Sequence, residues 1–360
     1  MCGIFGYAGF EEGGLLQRMG RAIAHRGPDD DGFFTSNSAD RVHLGMRRLS
    51  IIDLAGGKQP IFNEDGSLVV FYNGEIYNYL ELADELTAKG HVFSTRSDTE
   101  TVLHAYEEWG IDCLKRFNGM FAFALYDRRS RELHIVRDRA GIKPLYWHQH
   151  NGRFLFGSEL KAILESQHVE RRCNTSVIDS YLTLRYVPNP ETLLEGIHVL
   201  PAAHHLKYKD GKVEIRRWWD INLHRGPYKS QEEYKEEYDE VFTRAVKLQM
   251  RSDVPFGAYL SGGIDSSSVV AAMSMFTDKV RTFSIGFDSP IDETLDATRF
   301  AKHFHCDHRN VKCLPEHFSL LPKAIWHLER PIGDALILAY YLLAQETSKH
   351  VKVVLSGEGA

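Results

Sequence analysis

The sequence predicts an α/β protein in two parts, and three observations carry that expectation. Short apolar runs with strand character crowd the first half. Strand-like and helix-like segments alternate in the second, and a polar stretch with a Gly-Pro pair separates the two. A chain of 360 residues is long enough for two cores. In the first part, residues 42–52, 68–73, 121–126, 133–137 and 154–158 read as strands, and 15–25, 78–89 and 99–109 carry helical spacing. After Trp219 the composition turns polar through 220–229, which divides the chain into 2–215, a linker at 216–230, and 231–360. Ser230 and Glu233 stand at capping-box spacing, and Tyr234, Tyr238, Val241, Phe242 and Ala245 share one face of the helix that follows. Beyond it, 256–260, 281–287 and 351–355 read as strands, with helices at 268–275 and 335–344. That alternation is the pattern of a doubly wound parallel sheet.

Cys2 follows Met1 directly and opens the run Cys2-Gly3-Ile4-Phe5-Gly6-Tyr7. A small second residue lets the methionine be trimmed, leaving one residue with both a thiol and a free α-amine. A thiol of pKa about 8.5 and an amine of about 7.7–8.0 are each partly deprotonated near neutrality. The amine can take the thiol's proton, so nucleophile and general base reside in one residue.

Further motifs follow in order: His25-Arg26-Gly27-Pro28-Asp29, Arg48-Leu49-Ser50-Ile51-Ile52-Asp53, Tyr72-Asn73-Gly74-Glu75-Ile76-Tyr77-Asn78, Ser97-Asp98-Thr99-Glu100 and Gly119-Met120-Phe121-Ala122-Phe123-Ala124. Taken singly, Asn73-Gly74 reads as a hairpin turn and Asp98 as the N-cap of a helix from Thr99. As an ordered set behind Cys2, they resemble the glutaminase domain of class II, N-terminal-nucleophile amidotransferases, to about residue 210. The resemblance implies an αββα Ntn-hydrolase fold with Cys2 as nucleophile. It assigns the side-chain amide of Asn73 and the backbone N–H of Gly74 to an oxyanion hole. Arg48 would hold the α-carboxylate of free glutamine in its planar fork, and Asp98 the α-ammonium. Leu49, Ser50, Ile51, Ile52 and Glu75 complete the implied glutamine-binding set. His25 reads as structural, because the amine already supplies a base.

In the second part the strand 256–260 runs directly into Ser261-Gly262-Gly263-Ile264-Asp265-Ser266-Ser267 and then a helix. Strand, glycine-rich turn and helix aim backbone N–H groups and a positive helix end at an anion, and the serines add hydroxyl donors. No Gly-Lys-Ser/Thr is present, so this is not the usual nucleoside-triphosphate loop. The segment resembles the pyrophosphate-binding loop of the ATP pyrophosphatases (the adenine nucleotide α-hydrolase-like fold). That resemblance implies Mg2+ at Asp265, since a carboxylate among phosphates needs a cation between them. It also implies adenine beside Ile285 and a second nucleotide loop at Ser356-Gly357-Glu358-Gly359-Ala360.

One family joins these halves in this order: the glutamine-hydrolysing asparagine synthetases of class B type. The resemblance implies glutaminase chemistry at Cys2, adenylation of aspartate by ATP and Mg2+, and amidation by ammonia passed through an internal channel. Relatives that amidate another carboxylate, on a sugar or secondary metabolite, share the architecture. The family continues beyond the second nucleotide loop, so the chain reads as truncated at its C-terminus.

Composition bounds the rest. The chain is 43% apolar and 26% charged, with a net charge of −6 and no basic block. Small molecules rather than nucleic acid are the expected partners. The N-terminus lacks the charged-then-apolar order of a signal peptide, and the apolar run at 335–344 is too short to cross a bilayer. A cytoplasmic enzyme without membrane contact or tightly bound organic cofactor is expected, and a homodimer is compatible with that reading. The five cysteines are scattered, and His303, His305, Cys306 and His308 cluster without the second pair a zinc site needs.

Overall fold

The computed structural model of the chain describes residues 1–36, 39–223, 226–287, 292–334 and 336–358. They fall into two compact units, Met1–Asn222 with Glu329–Ile332, and Leu223–Leu328 with Gly333–Ala360.

The first unit is built on two antiparallel six-stranded sheets. One orders its strands Ile197–Val199, Tyr146–His150, Arg153–Gly157, Gly3–Ala8, His43–Arg48 and Asp30–Thr35. The other orders Lys212–Arg217, His204–Lys209, Glu132–Arg137, Gly119–Asp127, Leu68–Ile76 and Ile61–Phe62. Side-chain alternation decides the layers. Ile4, Ala8, Leu44 and Met46 of the first sheet pack with Val69, Phe71, Ala122 and Ala124 of the second, forming a core between the sheets. The intervening residues point outward. Phe5 and Tyr7 meet the helix Leu15–Ala22, while Val70 and Tyr72 meet the helices Tyr79–Ala88 and Asp98–Trp109. Helix, sheet, sheet, helix is the αββα arrangement.

The expected strands are present with shifted ends. The strand expected at 68–73 runs on to Ile76, so Asn73-Gly74 lies inside it rather than in a turn. Gly74 pairs with Phe121, and a Cβ there would stand 2.5 Å from the Met120 carbonyl. Only glycine fits that close approach. Helix Asp98–Trp109 starts one residue earlier than expected, with Ser97 rather than Asp98 as its cap: the Ser97 hydroxyl accepts from Thr99 N–H.

The second unit carries a parallel sheet ordered Asp307–Cys313, Arg281–Phe287, Phe256–Tyr259 and Val353–Leu355. Helices Gln231–Gln249, Ile264–Ser274, Thr294–His303 and Ile337–Thr347 belong to it. The capping box at Ser230 and Glu233 is formed. On that helix Val246 and Phe242 reach the core, whereas Tyr234, Tyr238 and Val241 stay exposed. Ala335, at the start of the expected helix 335–344, lies outside the described residues, as do Gly359 and Ala360. Among the described residues no helix is long and apolar enough to cross a membrane.

Candidate functional site

Antiparallel register explains how Cys2 finds its neighbours. Gly3 pairs with Arg47, so the residue before Gly3 meets the residues after Arg47. Leu49 N–H accordingly donates to Cys2 Sγ at 3.3 Å. By alternation Cys2 shares the inter-sheet side of Ile4 and packs against that core. Asn73 and Glu75 share the inter-sheet side of Phe71 on the facing sheet. Burial pushes the Cys2 thiol up, opposed by Leu49 N–H, the neighbouring α-amine and the Lys143 ammonium, while Glu75 adds to the rise. The α-amine of Met1 is brought down to about 6 by its own burial, so most of it is the neutral base at pH 7. Lys143 is itself buried, and burial pulls its ammonium down against the attraction of Glu75 and Cys2.

Asn73 is 1% exposed, and its Nδ2 has no hydrogen-bond partner among the described residues. A buried amide donor left this way costs about 1–3 kcal/mol, which a structural asparagine would ordinarily avoid by pairing. An acceptor that arrives later, such as a developing oxyanion, would satisfy it.

The other glutamine-binding candidates come from the end of strand His43–Arg48, the loop after it and the start of helix Asp98–Trp109. Arg48 is buried, and its guanidinium is steered by three backbone carbonyls, Leu54 at 3.3 Å, Ile52 at 3.2 Å and Asp53 at 2.8 Å. Gly57 makes room, since a Cβ there would lie 2.7 Å from Arg48 Nη2. Among the described residues no carboxylate pairs with Arg48, and both Nη2 hydrogens go to the Ile52 and Asp53 carbonyls. Leu49, Ser50, Ile51 and Ile52 form the loop between Cys2 and this guanidinium, fixed where Ser50 N–H donates to Asp29 at 2.9 Å. Asp98 stands on the other side of the strand. Its Oδ2 accepts from Tyr72 OH at 2.8 Å and Ile76 N–H at 3.0 Å. Burial nevertheless raises its pKa to about 6, against those hydrogen bonds.

Sequence reasoning missed the frame behind Cys2. Arg26 Nε donates to the Cys2 carbonyl at 2.9 Å and Nη1 to Glu159 at 2.9 Å. His25 meets the same carboxylate at 3.0 Å, and Lys161 at 2.6 Å. Burial opposes ionisation of Glu159, but His25, Lys161 and Arg26 outweigh it and hold the carboxyl near 2. His25 therefore serves this frame, and Glu159 and Lys143, more than a hundred positions from Cys2, carry no local sequence signal.

In the second unit, neighbouring parallel strands Phe256–Tyr259 and Val353–Leu355 end at the same edge, so the two glycine-serine loops meet there. A cavity of about 520 Å³ opens at that edge, lined in part by Ser261, Asp265, Ser266, Ile285, Ser356 and Gly357. Gly262, Gly263 and Ser267 are not among its lining residues. Gly262 takes the left-handed conformation at φ 87° and packs against Ala297. Gly263 caps the helix Ile264–Ser274 without a side-chain bond, which leaves first-turn N–H groups for a ligand. Gly357 touches the same turn, since a Cβ there would lie 2.6 Å from Ser266 N. Three carboxylates, Asp265, Glu293 and Glu358, and several hydroxyls line it, hard oxygen donors of the kind a magnesium–phosphate pair takes.

Comparison with known proteins agrees with both halves. Residues 1–219 match the family described as glutamine amidotransferase domain, and residues 237–360 match asparagine synthase. Asparagine synthetase [glutamine-hydrolyzing] 1 of Bacillus subtilis is 37% identical over 96% of this chain and 54% of its own length. A putative asparagine synthetase [glutamine-hydrolyzing] 2 of Methanocaldococcus jannaschii is also 37% identical, over 100% of this chain and 74% of its own length. The chain thus spans half to three quarters of the curated relatives it matches. Among solved structures, a glutamine phosphoribosylpyrophosphate amidotransferase from B. subtilis matches 86% of this chain and 65% of its own, at 17% identity and TM-score 0.46.

Proposed function

The chain belongs to the glutamine-hydrolysing asparagine synthetase family, and from that membership we propose that its first unit hydrolyses glutamine while its second binds ATP to activate aspartate. Once Met1 is removed, the Cys2 amine takes the thiol proton and the sulfur attacks the side-chain amide carbon of glutamine. Asn73 Nδ2 and Gly74 N–H receive the oxyanion, ammonia leaves, and water releases glutamate from the thioester. Arg48 and Asp98 hold the α-carboxylate and α-ammonium, with Glu75 and the loop Leu49–Ile52 shaping the pocket. Arg26 positions Cys2 through its carbonyl.

In the second unit the side-chain carboxylate of aspartate attacks the α-phosphorus of ATP and expels pyrophosphate. Ammonia then displaces AMP from the mixed anhydride and yields asparagine. Mg2+ enters with ATP as part of the substrate. Asp265 would face it, while Ser261, Ser266, Ser356 and backbone N–H groups at Gly262, Gly263 and Gly357 would meet the phosphates. Free ATP and amino acids as substrates fit a cytoplasmic location. Residues 216–230 serve as the linker in this reading.

The observation that carries the proposal is the buried, unpartnered Asn73 amide, which faces the inter-sheet core from the sheet opposite Cys2. The names of the relatives favour aspartate over another carboxylate. The decisive experiment measures pyrophosphate release by the intact protein with ATP, magnesium and glutamine, with and without aspartate. Aspartate-dependent release with equimolar asparagine is the expected result. Glutamine hydrolysis without such release would overturn aspartate as the acceptor.

A further inference from the structure

On the outer face of the first unit, three side chains from separate elements converge away from the glutamine site. Glu64 follows strand Ile61–Phe62, His91 follows helix Tyr79–Ala88, and His104 lies on helix Asp98–Trp109. One ligand atom from each comes within 4.8 Å of the others. We propose that Glu64, His91 and His104 bind a divalent ion of the zinc class, with water filling the fourth position.

The strongest support is His104. It is 1% exposed, and its Nε2 is buried without a hydrogen-bond partner among the described residues. Its other nitrogen, Nδ1, lies 2.9 Å from Glu107, and Asn63 donates to that same carboxylate at 2.7 Å. A carboxylate taking the Nδ1 proton fixes the tautomer that leaves a lone pair on Nε2, which is how metal-binding histidines are oriented. Glu100 stands 3.6 Å from Nε2 but does not close the gap. Its two oxygens already accept four hydrogen bonds, from the backbone and hydroxyls of Ser94 and Thr95.

The surroundings favour positive charge. Glu100 and Glu107 stand 3.6 and 2.9 Å from the two ring nitrogens of His104. Glu107 and Glu108 flank His91 at 3.8 and 3.5 Å. Two imidazoles and a carboxylate make a borderline donor set, suited to zinc rather than to calcium or magnesium. Ligands stand about 2.0–2.2 Å from zinc, so the set must contract. Glu64 is exposed and His91 only partly buried, so those two can move in while His104 stays fixed. The bound ion would fasten the 64 and 91 turns onto helix Asp98–Trp109.

The test titrates the metal-free full chain with Co2+, read by visible absorption, and then competes it with Zn2+. One equivalent with tetrahedral Co2+ bands is expected. His91→Ala and Glu64→Gln should each weaken binding by at least about 10-fold, and Glu107→Gln, which touches no metal, by about 10–100-fold. His104→Ala empties a core position and could fail to fold, so the two outer ligands carry the decision. Absence of stoichiometric binding, or unchanged affinity in both His91→Ala and Glu64→Gln, would overturn the proposal. The outcome is independent of whether glutamine is hydrolysed.

Discussion

Asn73 and Asp98 are both held in ways that oppose stability. Replacing Asn73 by alanine removes the orphan donor. The variant should lose roughly 10²–10³ in kcat for glutamine hydrolysis, with little change in KM and no fall in thermal midpoint. Steady-state kinetics and calorimetry read both. Asp98 adds a pH dependence. With its carboxyl raised to about 6, against about 3.9 in the unfolded chain, folding takes up a proton between those values. Its contribution to stability is present below the unfolded pKa and is lost as pH rises through about 6. Asp98→Asn should therefore be at least as stable as the parent at pH 7.5. In the parent, KM for glutamine should rise as pH falls below about 6, because a neutral Asp98 no longer attracts an ammonium group. A flat KM profile from pH 5 to 8 would remove Asp98 from that role.

The motif His25–Asp29 acts as one element, and glycine sets its fit. A Cβ on Gly27 would lie 2.2 Å from the Arg47 carbonyl carbon. Gly27→Ala should destabilise the first unit by about 1–3 kcal/mol and disturb Cys2 and the Arg48 loop together, measurable as a lower midpoint and lost glutaminase activity. Legibility from sequence follows range. The strands and the glycine-serine turn were readable because their signals are local and periodic. Strand Gly3–Ala8, at the centre of its sheet, escaped because GIFGYA is apolar throughout and shows no alternation. The hairpin 204–217 does carry a turn signal, Asp210-Gly211, yet lies outside the expected strands. Arg26 was visible as a motif letter, but its bond to the Cys2 carbonyl and the closing Glu159 depend on distant parts of the chain. The cluster of Glu64, His91 and His104 is likewise assembled from three elements without any short spacing pattern.

At the scale of the molecule, two compact units imply separable losses. Cys2→Ala in the intact protein should abolish glutamine hydrolysis but leave amidation driven by added ammonia. Asp265→Asn should do the reverse, stopping pyrophosphate release while glutaminase activity persists. Loss of both activities in either variant would contradict this division. The central place of strand Gly3–Ala8 also sets an order of events during biosynthesis. Its neighbour Arg153–Gly157 leaves the ribosome some 150 residues later, roughly 10–30 s at ordinary elongation rates. Until then the first residue is open to an aminopeptidase. Afterwards the strand behind it is fixed between two others while Met1 itself stays more than half exposed. Trimming is thus not confined to the unfolded chain, and pairing of the strand fixes where the α-amine it uncovers will sit.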